Sequence, residues 1–181
     1  MTHLAAPQVL GIDPGPVYSA YALIDAATCA PLEADKVDSG LLLSMILGRR
    51  FGHASTAIEM VASYGMAVGA EVFDTCVWIG RFHEALRSVH PDDPPTLVTR
   101  ARVKLHHCHS PRANDATITQ ALIDRFAYGQ RNRGKGTKSD PGFFYGFRAD
   151  MWQAFALAVY WADTTDPGAV ASIHTTPHDG V

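Results

Sequence analysis

Two short apolar runs in this chain are each interrupted by an acid: Val9-Leu10-Gly11-Ile12-Asp13 and Ala57-Ile58-Glu59-Met60-Val61. Each run reads as a buried strand carrying one carboxylate where apolar side chains should continue. An ionised carboxylate in a dry core is costly unless something compensates its charge. Two of them on separate strands point to one shared purpose, the holding of divalent cations. A pair of hard ions about 4 Å apart stabilises both the attacking water and the leaving oxygen of a phosphodiester. Mg²⁺ takes oxygen ligands and keeps several waters, so three or four carboxylates suffice. Asp13, placed centrally, is expected to bridge the two ions and Glu59 to hold one. Asp150, in the first turn of the last predicted helix, is the third ligand expected. Each acid also has an ordinary structural role open to it: Asp13 as the cap of a Pro-Gly turn, Glu59 as the partner of an arginine, Asp150 as a helix-start charge.

The elements that must position these acids follow from pattern. Val9 to Asp13 is a first strand, ended by Pro14-Gly15-Pro16, which forces a tight turn. Tyr18 to Asp25 is a second strand and makes an antiparallel hairpin with the first. Lys36 to Leu43 reads as a third strand, Met45 to Phe51 as a short helix, and Thr56 to Val61 as the strand of Glu59. Ala70 to Arg87 is a helix whose Val72, Phe73, Cys76, Val77, Gly80, Phe82 and Leu86 recur at helical spacing. Thr96 to Thr99 is a fifth strand, and Arg102 to His107 a helical turn. Asn114 or Asp115 caps a helix that runs to about Ala127; Asp115 suits a cap better than a metal ligand. Tyr128 to Gly142 carries almost nothing apolar and is expected to be a mobile basic loop. Arg148 to Ala162 is the last helix, and 166–181, rich in Gly, Pro, His and Thr, is expected to be a disordered tail. The order implies an α/β fold, a mixed five-stranded sheet with helices on both faces, in which the strands of Asp13 and Glu59 can lie side by side. One domain over 1–165 fits the length.

Charge is unevenly spread. The net charge is −3, but ten Lys and Arg between Arg100 and Arg148 face only Asp115, Asp124 and Asp140, a formal +7 that leaves −10 for the remainder. Such a basic stretch on an acidic chain is the footprint expected for a phosphate backbone; a solvated basic loop is the ordinary alternative. No run approaches the roughly 18 apolar residues of a membrane span, and Met1 to Gln8 has no signal-peptide pattern. Cys29, Cys76 and Cys108 cannot all pair, which fits a reducing cytoplasm. His106, His107 and His109 lie beside Cys108 but have no second ligand pair at zinc spacing. Gly134-Lys135-Gly136-Thr137 lacks both the preceding strand and the Lys-Ser/Thr step of a P-loop.

Val9-Leu10-Gly11-Ile12-Asp13-Pro14-Gly15 resembles the opening strand of RuvC-type Holliday-junction resolvases, particularly those of phages. Ala57-Ile58-Glu59 resembles their second acidic strand. Val103-Lys104 followed by Arg112-Ala113-Asn114-Asp115 is similar to their basic segment. The run from Asp150 to Ala158 resembles their acidic final helix. The resemblance spans roughly residues 8–163 and implies a ribonuclease H-like fold. It further implies a homodimer that cuts four-way DNA junctions with Mg²⁺ or Mn²⁺, two ions per site. Asp13, Glu59 and Asp150 match metal ligands in that pattern, and Lys104 a DNA-contacting position. The chain departs from it in two places. Gln153 stands where the final helix often carries a second acid, and Ala116 where a lysine usually follows the helix-start acid.

The expected DNA-binding set is Tyr64, Arg100, Lys104, Arg112, Arg131, Arg133, Lys135, Lys138 and Arg148, with Tyr64 stacking on an unpaired base at the junction centre. Phe73, Val77 and Phe82 offer a dimer face, with ordinary core packing as the alternative. The leading expectation is therefore a metal-dependent, structure-selective endonuclease for Holliday junctions and related branched DNA. The alternative is a catalytically silent DNA-binding module of the same fold. An actin-like or sugar-kinase-like ATPase, which needs two such domains, fits this length worst.

Overall fold

A computed structural model describes residues 7–62 and 69–165. Five strands form one sheet in the order β3-β2-β1-β4-β5: β1 (Gln8–Asp13), β2 (Tyr18–Asp25), β3 (Pro31–Asp38), β4 (Ser55–Met60) and β5 (Thr96–Thr99). The first three form an antiparallel meander, while β1 with β4 and β4 with β5 run parallel. Strand alternation sends Leu10, Ile12, Tyr21, Leu23 and Ile58 to one face. There they meet α1 (Ser39–Leu47) and α2 (Ala70–Val89). Val9, Ala20, Ala22, Ile24, Ala57 and Val98 go to the other face, under α3 (Arg100–Cys108), α4 (Asp115–Phe126) and α5 (Met151–Thr164). Helices on both faces of a mixed sheet match the expected fold class.

α5 is the central helix of the second face, with ten of its fourteen residues buried. It lies so close to β1 that a Cβ on Gly11 would sit 2.2 Å from the carbonyl oxygen of Ala154 and 3.0 Å from the Cβ of Ala158. Gly11 is therefore what lets the helix rest on the strand. Outside α5, Phe144 and Phe147 pack edge-on against Phe155, and Trp152 closes the same aromatic cluster.

Several boundaries differ from the sequence expectation, each for a local reason. The third strand is Pro31–Asp38, not Lys36 to Leu43, because the Asp38 side chain accepts from the Gly40 and Leu41 amides and starts α1 there. Leu41, Leu42 and Leu43 are helical, and the expected helix Met45 to Phe51 is the last three residues of α1 plus turns. The helical turn at Arg102 to His107 is a full helix from Arg100 to Cys108. The basic stretch is not a structureless loop. A 3₁₀ turn spans Arg131–Gly134, the Phe144 amide donates to the Gly134 carbonyl, and Gly136 bridges Pro141. Asn132 and Arg133 take left-handed backbone angles there. The last helix starts at Met151, not Arg148. The tail expected over 166–181 lies outside the described residues.

Candidate metal centre and nucleic-acid interface

Pairing register places the acids. Asp13 stands opposite Ala20 on β2, and Ala20 opposite Lys36 on β3. On the other side β1 and β4 pair Gly11 with Ala57 and Ile12 with Ile58, so the next residues, Asp13 and Glu59, are neighbours on one face. Glu59 pairs with Val98. A single row across the sheet therefore reads Lys36, Ala20, Asp13, Glu59, Val98, with adjacent backbones about 4.8 Å apart. All five point to the α3–α5 face, at the end where β1 and β4 stop. The turn after Asp13 is pinned: the Gly15 amide donates to Ser19 Oγ (3.2 Å), and Trp78 Nε1 of α2 donates to the Pro16 carbonyl (3.0 Å).

Both neighbouring helices begin at this same end. β5 stops at Thr99 and α3 starts with Arg100. α5 packs Ala154 and Ala158 over Gly11, so Asp150, one turn earlier, reaches the row near Asp13. α4 starts nearby with Asp115, and Asn114 is its cap, accepting from the Thr117 amide at 2.9 Å. Asp115 is thus not the cap, contrary to one of the two sequence expectations.

Two cations hold three of these acids. Arg100 donates from Nη1 to both oxygens of Glu59, at 3.1 and 2.9 Å, and from Nη2 to Asp115 Oδ1 at 2.5 Å. Lys36 Nζ pairs with Asp150 Oδ2 at 2.5 Å. Among the described residues Asp13 makes no hydrogen bond or ion pair. Burial first, then the charge of Glu59, push its carboxyl well above the ordinary carboxylate range, against the opposing pull of Arg100. Glu59 is also raised, by burial, with Arg100 opposing. Burial disfavours the Arg100 charge, but Glu59 and Asp115 outweigh it and strengthen the guanidinium's hold on its proton.

The donor chemistry fits a hard divalent ion. Asp13, Glu59, Asp115 and Asp150 offer only carboxylate oxygens, and Gln153, 6% exposed, keeps an amide oxygen Oε1 buried without a hydrogen-bond partner. Gln153 lies three residues after Asp150, one turn along α5. The spacing as it stands does not yet close a site. Among the described residues no three His, Cys, Asp or Glu side chains are close enough to hold one ion. Arg100 lies between two of the acids, and Lys36 occupies a third.

The expected DNA-binding residues are scattered in kind. Arg131, Arg133 and Lys138 are exposed and Lys135 is half-buried on the folded basic loop, and among the described residues none of the four makes an ion pair. Arg112 is exposed on the approach to α4. Lys104 lies one turn into α3, and its charge lowers the Glu59 pKa. Arg148 pairs with Asp35 at 3.1 Å on the surface. Arg100 departs furthest from the expectation: its guanidinium is engaged by carboxylates on both arms rather than presented to solvent. Tyr64 lies outside the described residues. Of the expected dimer face, Phe73 and Val77 are 62% and 52% exposed, but Phe82 is fully buried and belongs to the core. Lys36 was not among the expected site residues; counting register out from the Asp13 turn is the signal that finds it.

The chain matches no protein-family model and no curated protein. It does match a solved structure of Thermus thermophilus RuvC, with a TM-score of 0.60 and 16% identity, over 86% of this chain and 95% of that one. The fold is that of RuvC. A second structure, T. thermophilus RuvC in complex with a Holliday junction substrate, aligns with a TM-score of 0.60 and 15% identity over 86% of this chain and 93% of that one. Among the described residues no helix is long and apolar enough to cross a membrane.

Proposed function

We propose that this chain is a metal-dependent, structure-selective DNA endonuclease that cuts Holliday junctions, with other branched DNA as a wider substrate range. The observation that carries the reading is the row of Asp13 and Glu59 at the sheet's end, met by Asp150 and Asp115 from two helices, within a RuvC fold. Mg²⁺ or Mn²⁺, two ions when bound, would supply polarisation of the scissile phosphate and an activated water. The protein's own part is to hold the ligands. Asp13 is central and, among the described residues, unpaired, Glu59 and Asp150 flank it, and Gln153 on α5 carries a buried amide oxygen. Arg131, Arg133, Lys135 and Lys138, with Arg112, Lys104, Arg148 and Tyr64, form the surface that tracks phosphates and bases.

The test is a synthetic four-way junction incubated with Mg²⁺ or Mn²⁺. Paired nicks that vanish in Asp13→Asn are the expected result. Tight junction binding with no cleavage in either metal overturns the nuclease and leaves the silent DNA-binding module.

The same reading includes a homodimer, formed through the exposed α2 stripe of Phe73 and Val77, with the exposed Cys76 between them. Light scattering is expected to give a dimer mass for the wild type and a monomer mass for Phe73→Glu/Val77→Glu. An unchanged mass in the double variant rejects this face.

A further inference from the structure

The cations at the centre are of a different kind from those of the basic loop. Arg100 satisfies Glu59 through both carboxylate oxygens and Asp115 through its second arm. Its fork cannot make these bonds and clasp a phosphate at once. Lys36 comes from the opposite side of the row, two strands from Asp13, and takes Asp150. One built-in cation thus stands on each side of Asp13, each bound to carboxylates that hard-ion chemistry would use.

Asp115 stands in the first turn of α4, where a negative charge suits the helix dipole, but it does not cap the helix. The cap of α4 is made by Asn114, whose side chain accepts from both the Thr117 amide and hydroxyl. The Asp115 side chain is 64% exposed, and its only partner among the described residues is Arg100. Independently, Gln153 Oε1 is buried with no donor among the described residues. An amide oxygen with two open lone pairs is a donor atom that a cation, or a water bound to one, can use. It sits on α5, three residues after Asp150.

We propose that Arg100 and Lys36 are resident counter-cations that compete with divalent ions for this centre, and that Asp115 is a metal ligand held in reserve by Arg100. This rests on the nuclease reading and deepens it. Four carboxylates crowded at one strand end repel one another, and the two side-chain cations keep them folded together without metal. When a divalent ion takes Glu59 and Asp115, the guanidinium is released into the cleft, where the phosphate backbone of the substrate can accept it. Loading of the site and gripping of DNA are then linked through the same side chain.

The probe is Mn²⁺ alone, titrated into the full chain without DNA and followed by electron paramagnetic resonance, with melts in EDTA and in Mn²⁺ alongside. R100Q is expected to bind Mn²⁺ about tenfold more tightly than the wild type, the size of an ordinary coupling between competing ligands. K36Q should show a smaller gain, and R100K should fall between wild type and R100Q. D115N should weaken binding and cancel the gain in the R100Q/D115N double variant. In EDTA, R100Q should melt below the wild type and recover the difference in Mn²⁺. Should R100Q prove poorly folded, K36Q, whose pair is more exposed, carries the test by itself.

Mn²⁺ affinity that is equal or weaker in folded R100Q and K36Q, with wild-type binding that still depends on Asp13, overturns the counter-cation role and leaves the nuclease reading standing. Mn²⁺ binding that is absent in every variant, or indifferent to D13N, overturns both.

Discussion

The row end of the sheet and the loop at 128–142 both carry basic side chains, but these spend their charge differently. At the row end, Arg100 and Lys36 are half-buried and locked on Glu59, Asp115 and Asp150. On the loop, Arg131, Arg133 and Lys138 are exposed, and neither they nor Lys135 meets an acid among the described residues. Sequence position does not separate the two groups, since Arg100 falls within the same basic stretch as the loop residues. Placement in the fold does. A cation satisfied inside the fold contributes stability and conceals a site, whereas one without a partner stays free for phosphates and releases counterions when it meets them.

The largest effect that would separate them is on DNA binding. Changing Arg131, Arg133, Lys135 and Lys138 together to Gln is expected to weaken junction binding about 10³-fold and to flatten the slope of log K against log salt by about 3–4. The melting temperature should stay within about 1 °C of wild type, because none of the four is paired among the described residues. Fluorescence anisotropy across a salt series checks the first outcome, and a melt the second. A variant that binds as before but melts early would reverse the assignment of this loop.

The converse change comes next in size. Arg100→Met is expected to cost about 2 kcal/mol of stability in EDTA, because it strands Glu59 beside Asp13 in a partly buried setting. For a chain of this length that is about 4–8 °C in melting temperature. The salt slope of junction binding in EDTA should change by less than one unit. A slope change as large as that of the loop variant would make Arg100 a phosphate ligand even without metal.

How far this contrast could be read in the sequence depends on which physical cue each residue carried. Asp13 and Glu59 were legible because a carboxylate inside an apolar β run breaks a strong pattern, and the strand order that makes them neighbours follows from the hairpin and the parallel crossover. The third strand was misplaced because β3 is an edge strand whose Leu32, Glu33, Asp35 and Lys36 give no apolar alternation, while the helical Leu41, Leu42 and Leu43 mimic one. That error also hid Lys36, whose significance is its register opposite Ala20. The loop at 128–142 seemed structureless because its order comes from backbone hydrogen bonds and from glycines such as Gly134, which packs against Ala127 and Phe144 and leaves no apolar periodicity. The partners of Arg100 lie 41 and 15 residues away and had no local signature at all.

A further test asks whether the seam that carries Arg100 is itself sensitive to charge. His107 on α3 donates from Nε2 to the Ala156 carbonyl of α5 at 2.8 Å, and burial pushes its pKa down from 6.5 to about 4. The folded chain therefore prefers the neutral ring more strongly than the unfolded chain does. Its contribution to stability is fully present above pH 6.5 and is lost as the pH falls from 6.5 toward 4. The loss should amount to about 1–2 kcal/mol once solvent access to the seam is allowed for. His107→Phe should flatten that part of the profile, and the difference between the two chains removes the opposing contributions of Asp13 and Glu59. Identical slopes would show that His107 is equally free to charge in both states.

The smallest effect concerns Lys104, which stands between the two groups. It lies on α3 one turn beyond Arg100, close enough for its charge to lower the Glu59 pKa, yet among the described residues its side chain makes no ion pair. If pairing is what divides the cations, Lys104 belongs with the loop. Lys104→Gln should then flatten the salt slope of junction binding by about 0.9 and weaken binding about tenfold at moderate salt, with the EDTA melt unchanged. A drop in melting temperature without a change in salt slope would place Lys104 with Arg100 instead. Proximity to the carboxylates, rather than a bond to them, would then be what divides the cations of this chain.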